Sequence, residues 1–243
     1  MARRLSNTTD AVNIFRAGGL IATGWPVTMA CWINKLSSGN GLILSIGNAS
    51  SPTDWLAISI NASEQVNMFT YTTDPVNLVS DALPAGLHSL VARWSSNTQR
   101  ELFIDGSLAA GGTGLPSDAA LSLTVTEFAV GESIDSTPSA SNTTAQISQV
   151  AVWKAALTND QVMMFARGVP PNWIRPKNLS IYLPLYGKSP EPGMAGSGYN
   201  STNISGTTVV DEIAPIGRIA RVPNAWPYHL TEEEIQNNFF LVF

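Results

Sequence analysis

Cysteine is almost absent. Cys31 is the only one in 243 residues, so no disulfide framework within the chain is possible, and two histidines leave little for a metal centre built from thiolate and imidazole. Cys31 alternates with apolar neighbours and reads as a small core filler. Charge is scarce as well: 13% of residues are charged, roughly half the usual share. Thirteen Lys and Arg against 18 Asp and Glu leave a net charge of -5, which argues against a nucleic-acid partner, because such binding draws on clustered basic residues. No apolar run approaches the ~18 residues of a membrane span, so no membrane partner is expected. The opening Met-Ala-Arg-Arg-Leu-Ser-Asn has basic residues but no apolar segment behind them, so no secretory signal is expected and synthesis in a cytoplasm is. No phosphate-cradling loop of the form Gly-x-x-x-x-Gly-Lys-Ser/Thr occurs, and Gly111-Gly112-Thr113-Gly114 reads as a hairpin connection.

Ser, Thr, Asn and Gly take the place of the missing charges. A surface of hydroxyls and amides stays soluble without a strong field and suits packing against neighbouring subunits. Seven Asn-x-Ser/Thr triplets, at Asn7, Asn48, Asn61, Asn142, Asn178, Asn200 and Asn203, follow from that composition and are not read as glycan acceptors. The 44% hydrophobic content is globular, and the length suits one large β domain with extensions.

Apolar residues mostly alternate with period two between Gly, Pro, Asn and Ser, which predicts strands near 11–16, 26–34, 41–47, 54–61, 65–72, 87–95, 100–105, 120–131 and 145–154. In Val27-Thr28-Met29-Ala30-Cys31-Trp32-Ile33 both faces are apolar, so this strand is expected to be central. One helix stands out. Thr158-Asn159-Asp160-Gln161 fits a capping box, Val162, Met163, Phe165 and Ala166 supply an apolar stripe, and Gly168 followed by Pro170-Pro171 ends it. It is expected across one end of a sandwich.

These pieces resemble the laminin-G-like, concanavalin A-like lectin/glucanase family of jelly rolls. The strand 27–33 is similar to that family's "fTisaWv"; Leu87 to Ala92 with Arg100 to Ala109 resembles its "whhvA…lyvDGvlva" hairpin; Ile147 to Thr158 with Gln161-Val162 resembles its closing strand and helix. The resemblance covers about residues 10–170, in order. It implies an all-β antiparallel β-sandwich jelly roll with one short helix and a long C-terminal extension. Leu179 to Gly187, then Ser189-Pro190-Glu191-Pro192, is similar to the strand that opens such domains, displaced here to follow the helix; 179–186 is therefore expected to complete the sandwich, in its own subunit or swapped. The domain is drawn as 1–186, with 187–243 an extended arm in which Thr207 to Val210 forms a further strand and 231–240 a short acid-capped helix. An apolar end of Phe-Phe-Leu-Val-Phe is a liability in water, so Ile235, Phe239, Phe240, Leu241 and Phe243 are expected to dock on the sandwich or on a neighbouring subunit.

What this fold does must be read from its sites. The family's retaining hydrolases carry Glu-x-Asp-x-x-Glu on one strand, one carboxylate a nucleophile and one an acid. The nearest segment is Thr126 to Asp135; Glu127 and Glu132 would face opposite ways on an unbroken strand, so no catalytic residues are assigned. His88 and His229 have no nucleophile elbow near them. No cofactor is expected beyond calcium, which related lectins hold in loops, with Asp10, Asp54 and Asp135 as candidate donors. Glycan recognition on such folds uses exposed aromatics at loop tips, for which Trp25, Trp55, Tyr71 and Trp173 are the candidates. The leading expectation is a non-enzymatic structural protein of a bacteriophage virion, a capsid decoration or tail-associated component, because the 183–192 segment resembles tailed-phage structural proteins. Its partners would be capsid or tail proteins, further copies of itself, and a surface polysaccharide. The alternatives are a carbohydrate-binding, lectin-like module and, behind it, a glycan hydrolase.

Overall fold

The computed structural model describes residues 2–5, 11–15, 22–48, 55–71, 76–112, 124–132, 134, 144–185, 188, 192–195, 203–205 and 207–210. Its strands are, in chain order, β1 (Ala2–Leu5), β2 (Ala11–Phe15), β3 (Ala22–Thr23), β4 (Val27–Lys35), β5 (Gly41–Gly47), β6 (Trp55–Ile60), β7 (Gln65–Tyr71), β8 (Val76–Ala82), β9 (Gly86–Trp94), β10 (Arg100–Ile104), β11 (Ser107–Gly112), β12 (Thr124–Val125), β13 (Glu127–Val130), β14 (Ala145–Trp153), β15 (Leu179–Leu183), β16 (Asn203–Ser205) and β17 (Thr208–Val210). Between β14 and β15 stand α1 (Asn159–Ala166) and two 3-10 turns, Pro171–Trp173 and Pro176–Asn178.

The larger sheet runs β11-β10-β9-β4-β14-β1-β17, with β15 also on β14, and the smaller runs β16-β2-β13-β5-β6-β7-β8. Antiparallel pairing throughout and two stacked faces make this the expected β-sandwich jelly roll. β4 lies between β9 and β14, the central place that its two apolar faces predict. Val27, Met29, Cys31 and Ile33 point into the core between the sheets, against Leu56, Ile58, Met68 and Phe128 of the smaller sheet. Ala30 and Trp32 point the other way, and so do Val91, Phe103, Ala151 and Trp153 of the neighbouring strands.

That second apolar face needs a cover, and it corrects the expected position of the helix. Instead of crossing an end of the sandwich, α1 lies on the outer face of the larger sheet, where Val162 and Phe165 are buried among those residues. The capping box forms as the sequence predicts: Thr158 Oγ1 accepts from the Gln161 amide, and the Gln161 side chain accepts from the Thr158 amide. Gly168 takes the left-handed conformation (φ 84°) that ends the helix.

β14 holds the sheet register by a bulge. Ala145 and Ile147 face the core, and so do Val150 and Val152, because an extra residue near Gln149 (φ 51°) flips the alternation between Ser148 and Ala151. The bulge also divides one edge of β14 between two partners, β1 along Ala145 to Ile147 and β15 along Val150 to Trp153. The segment expected to complete the sandwich thus does so within its own chain, and Tyr182 on β15 donates its hydroxyl to Gln149 Oε1. Beyond residue 186, in the stretch expected as an arm, β16 adds an edge strand to the smaller sheet and β17 one to the larger. The interface candidates Ile235, Phe239, Phe240, Leu241 and Phe243 lie outside the described residues, as do the calcium candidates Asp10, Asp54 and Asp135.

Candidate functional site

The layer over the larger sheet is fastened by buried polar bonds. Arg93 on β9 carries its guanidinium over the Phe103 ring, 4.8 Å from the centroid, and bonds Glu101 at 2.7–2.8 Å. The same group donates to the Leu157 carbonyl and to Asn159 Oδ1, so the start of α1 is tied to the sheet. Further along, the fully buried Trp153 stacks edge-on against Phe165 and donates its indole N–H to the Ile174 carbonyl at 2.7 Å.

Ile174 is the pivot of the candidate site. Its side chain is buried and its backbone extended (φ -98°, ψ 103°), so the residues on either side, Trp173 and Arg175, both turn outward. Pro170 and Pro171 fix the turn before Trp173, whose amide donates to the Pro170 carbonyl. The Trp173 side of the loop is the most open aromatic surface in the layer: the residue is 56% exposed. Arg175, in the left-handed region at φ 49°, bonds Asn178 Oδ1 through Nε (3.0 Å) and the Ala156 carbonyl through Nη1 (2.8 Å). Asn178 in turn accepts at its carbonyl from the Lys154 amide at 2.8 Å. This brings the exposed Lys154 and Lys177 beside Arg175, and among the described residues no carboxylate pairs with any of the three.

The four sequence-selected aromatics do not form one site. Trp25 is half-buried and packs against the core between the sheets. Trp55 starts β6 on the outer face of the smaller sheet, is only 8% exposed, and stands opposite Tyr71, of which only the backbone is described. Trp173 lies on the other side of the sandwich. Sequence reading singled out Trp173 by type but missed its cationic neighbours. The signal was available in the charge distribution: Asp160 is the only acid between residues 136 and 190, a stretch holding Lys154, Arg167, Arg175, Lys177 and Lys188.

The carboxylates Glu127 and Glu132 need a correction. β13 ends at Val130, and Gly131, in the left-handed region at φ 83°, turns the chain so that Glu132 is anchored by Ser45 Oγ donating to its carbonyl at 2.6 Å. The unbroken strand that would set the two side chains on opposite faces does not exist. Burial, and secondarily the negative charge of Glu132, hold the Glu127 carboxyl above the usual carboxylate range. Their spacing is that of the first and last acids of Glu-x-Asp-x-x-Glu, with the buried Ala129 in the place of the Asp. Glu127 stands opposite Gly47, which stands opposite Trp55, so no side chain separates the carboxylate from the indole along that row. His88 is part of a different device: its Nδ1 meets Asp105 Oδ2 at 2.7 Å while the Ser89 amide donates to Oδ1, pinning the turn after β10 to β9. Among the described residues no three His, Cys, Asp or Glu side chains converge as metal ligands.

A jelly roll of two antiparallel sheets, with a helical layer on one outer face and an exposed indole in that layer, is a lectin-type β-sandwich. The chain belongs to the concanavalin A-like lectin/glucanases superfamily, whose laminin G-type family matches residues 6–163. No curated protein matches the sequence. Among solved structures, the chain is similar to a Bacteroides ovatus protein provisionally described as carbohydrate-binding (16% identity, TM-score 0.61, covering 88% of this chain and 61% of that one). It is also similar to the CBM40 of a Ruminococcus gnavus IT-sialidase, solved with α2,3-sialyllactose (16% identity, TM-score 0.54, 67% and 96%). A third likeness is to domains LG4-5 of the mouse laminin α1 chain (12% identity, TM-score 0.51, 65% and 43%). At these identities the likenesses show the fold alone.

Proposed function

We propose that this protein is a carbohydrate-binding module that acts without catalysis, with Trp173 as the platform on which a sugar ring stacks. The observation that carries the reading is an indole 56% exposed on a loop whose backbone is bonded from beneath by Trp153. An apolar ring face with a polar edge suits the mixed face of a pyranose, and a platform already held in place loses little entropy on binding. The superfamily and the carbohydrate-binding descriptions of two similar structures support the same reading. A glycan array of the wild type and Trp173→Ala tests it: a set of sugars bound by the first and lost by the second is expected, and no binding above background by the wild type would overturn it.

A second reading, glycan hydrolysis, is favoured by the spacing of Glu127 and Glu132 and by the raised Glu127 carboxyl, since a retaining hydrolase needs a proton-holding acid beside an ionised one. It ranks lower because Ala129 replaces the middle acid and Trp55 beside the pair is 8% exposed. Release of reducing sugar, abolished by Glu127→Gln and by Glu132→Gln, would raise it above binding. Residence on a virus particle, with capsid or tail proteins and further copies as partners, is a separate proposal. It is supported by the 13% charged content and by the phage-like 183–192 segment, and mass measurement of native particles with and without the protein tests it.

A further inference from the structure

Charge is sorted along this chain in a way its total hides. Residues 136–190 hold five Lys and Arg and one Asp, a local charge of +4, while the remaining residues hold eight Lys and Arg against 17 Asp and Glu, a charge of -9, the two summing to the net -5. The fold gathers that positive stretch into β14, α1, the two 3-10 turns and β15, which form one side of the larger sheet and the layer upon it.

Three of its cations lie on the loop of the exposed indole and on the strand end bonded to that loop. Arg175 follows Trp173 by two residues across the buried Ile174, Lys177 lies in the 3-10 turn that begins right after Arg175, all three are exposed, and the Lys154 backbone is bonded to Asn178 of that turn. Arg175 spends Nε and Nη1 on Asn178 and Ala156, which fixes the plane of its guanidinium and leaves Nη2 with no partner among the described residues. A guanidinium held in this way meets a carboxylate or sulfate with little further loss of freedom. The two lysines are exposed and carry no ion pair among the described residues, so they act as mobile counter-charges at its rim.

We propose that Trp173, Arg175, Lys177 and Lys154 form a binding site for an anionic polysaccharide, one whose sugar rings carry carboxylate or sulfate groups; this rests on the carbohydrate-binding reading. The ring stacks on Trp173 while its anionic substituent lies toward Arg175 and the lysines. Anionic membranes fit the same charges less well, because a single indole among cations offers little apolar surface to insert.

Binding of the full chain to polygalacturonate, dextran sulfate and neutral dextran tests the proposal, the first two separating carboxylate from sulfate. Lys154→Gln with Lys177→Gln is the informative variant, because neither ammonium is bonded among the described residues and folding should be unaffected; Arg175→Gln would also remove two loop bonds. The expected result is binding to one of the polyanions at least about tenfold tighter than to dextran. The double variant should lose about tenfold on that polyanion, keep its melting temperature and its dextran affinity, and the wild type should weaken as salt rises past about 0.3 M. Equal affinity for dextran and both polyanions, unmoved by the lysine changes, would overturn the anionic preference and leave carbohydrate binding standing. Absence of binding to every polysaccharide would overturn both. Phosphatidylserine vesicles bound as tightly as the best polysaccharide would overturn the assignment of the ligand.

Discussion

Trp153 donates its indole N–H to the carbonyl oxygen of Ile174 at 2.7 Å, so a fully buried ring on β14 fixes the backbone beneath an exposed one, Trp173. Structure and recognition are therefore divided between two tryptophans, and they respond to mutation differently. Trp153→Phe keeps a ring but strands the Ile174 carbonyl, and is expected to cost about 1–3 kcal/mol and to weaken sugar binding. Trp173→Ala is expected to leave stability within about 0.5 kcal/mol while removing binding. Urea unfolding and sugar titration of both variants separate the two roles; a Trp173→Ala change that destabilises as much as Trp153→Phe would make Trp173 a packing residue.

Arg93 is the buried tie between sheet and helix, serving Glu101, Leu157 and Asn159 at once. Arg93→Met fills the space but leaves Glu101 and the Leu157 carbonyl without their donor. A loss of about 3 kcal/mol in urea unfolding is expected, and one below about 1 kcal/mol would mean that α1 is held by Phe165 and Val162 alone.

Glu127 makes stability depend on pH. Burial first, and the charge of Glu132 second, raise its carboxyl above the unfolded value, so the folded state holds the proton more tightly. The stabilisation is complete below the unfolded carboxylate range and is lost as pH rises through the folded value. Glu127→Gln, which mimics the protonated form, should melt higher than the wild type at pH 7 and at the same temperature near pH 3, about where free carboxyls are protonated. A gap of constant size across that range would show that the substitution acts through packing.

Cys31 lies wholly within the core between the sheets, and burial pushes its thiol far up, so the reactive thiolate is suppressed. Alkylation in native buffer should proceed only as fast as the protein unfolds, and go to completion in denaturant. Prompt labelling of the native protein would place β4 in contact with solvent.

Most of the architecture was legible because a half-buried strand writes its own period. Both apolar faces of 27–33 pointed to a central strand, and the capping box at Thr158 marked the start of the helix. What alternation does not encode is which surface a short helix meets: α1 was placed at an end of the sandwich because the outward residues Val91, Phe103 and Trp153 belong to three separate strands, whose alignment only pairing reveals. The bulge at Gln149 was equally silent, since it needs no glycine there. Short strands such as β1 and β16 escaped because three or four residues carry too little periodicity. Of the site, Trp173 was found by residue type, but its neighbours were hidden by the negative total charge, and the Glu127 to Glu132 spacing by the assumption of a straight strand through Gly131.

Calorimetric titration of one array-positive sugar into wild type, Trp173→Ala and Trp55→Ala tests the central claim most directly. The account predicts at least about a tenfold loss of affinity for Trp173→Ala, the scale of a central binding residue, and wild-type affinity for Trp55→Ala in the folded fraction. Undiminished binding by Trp173→Ala, with the loss falling on Trp55→Ala, would contradict it and move the sugar to the face that carries Glu127.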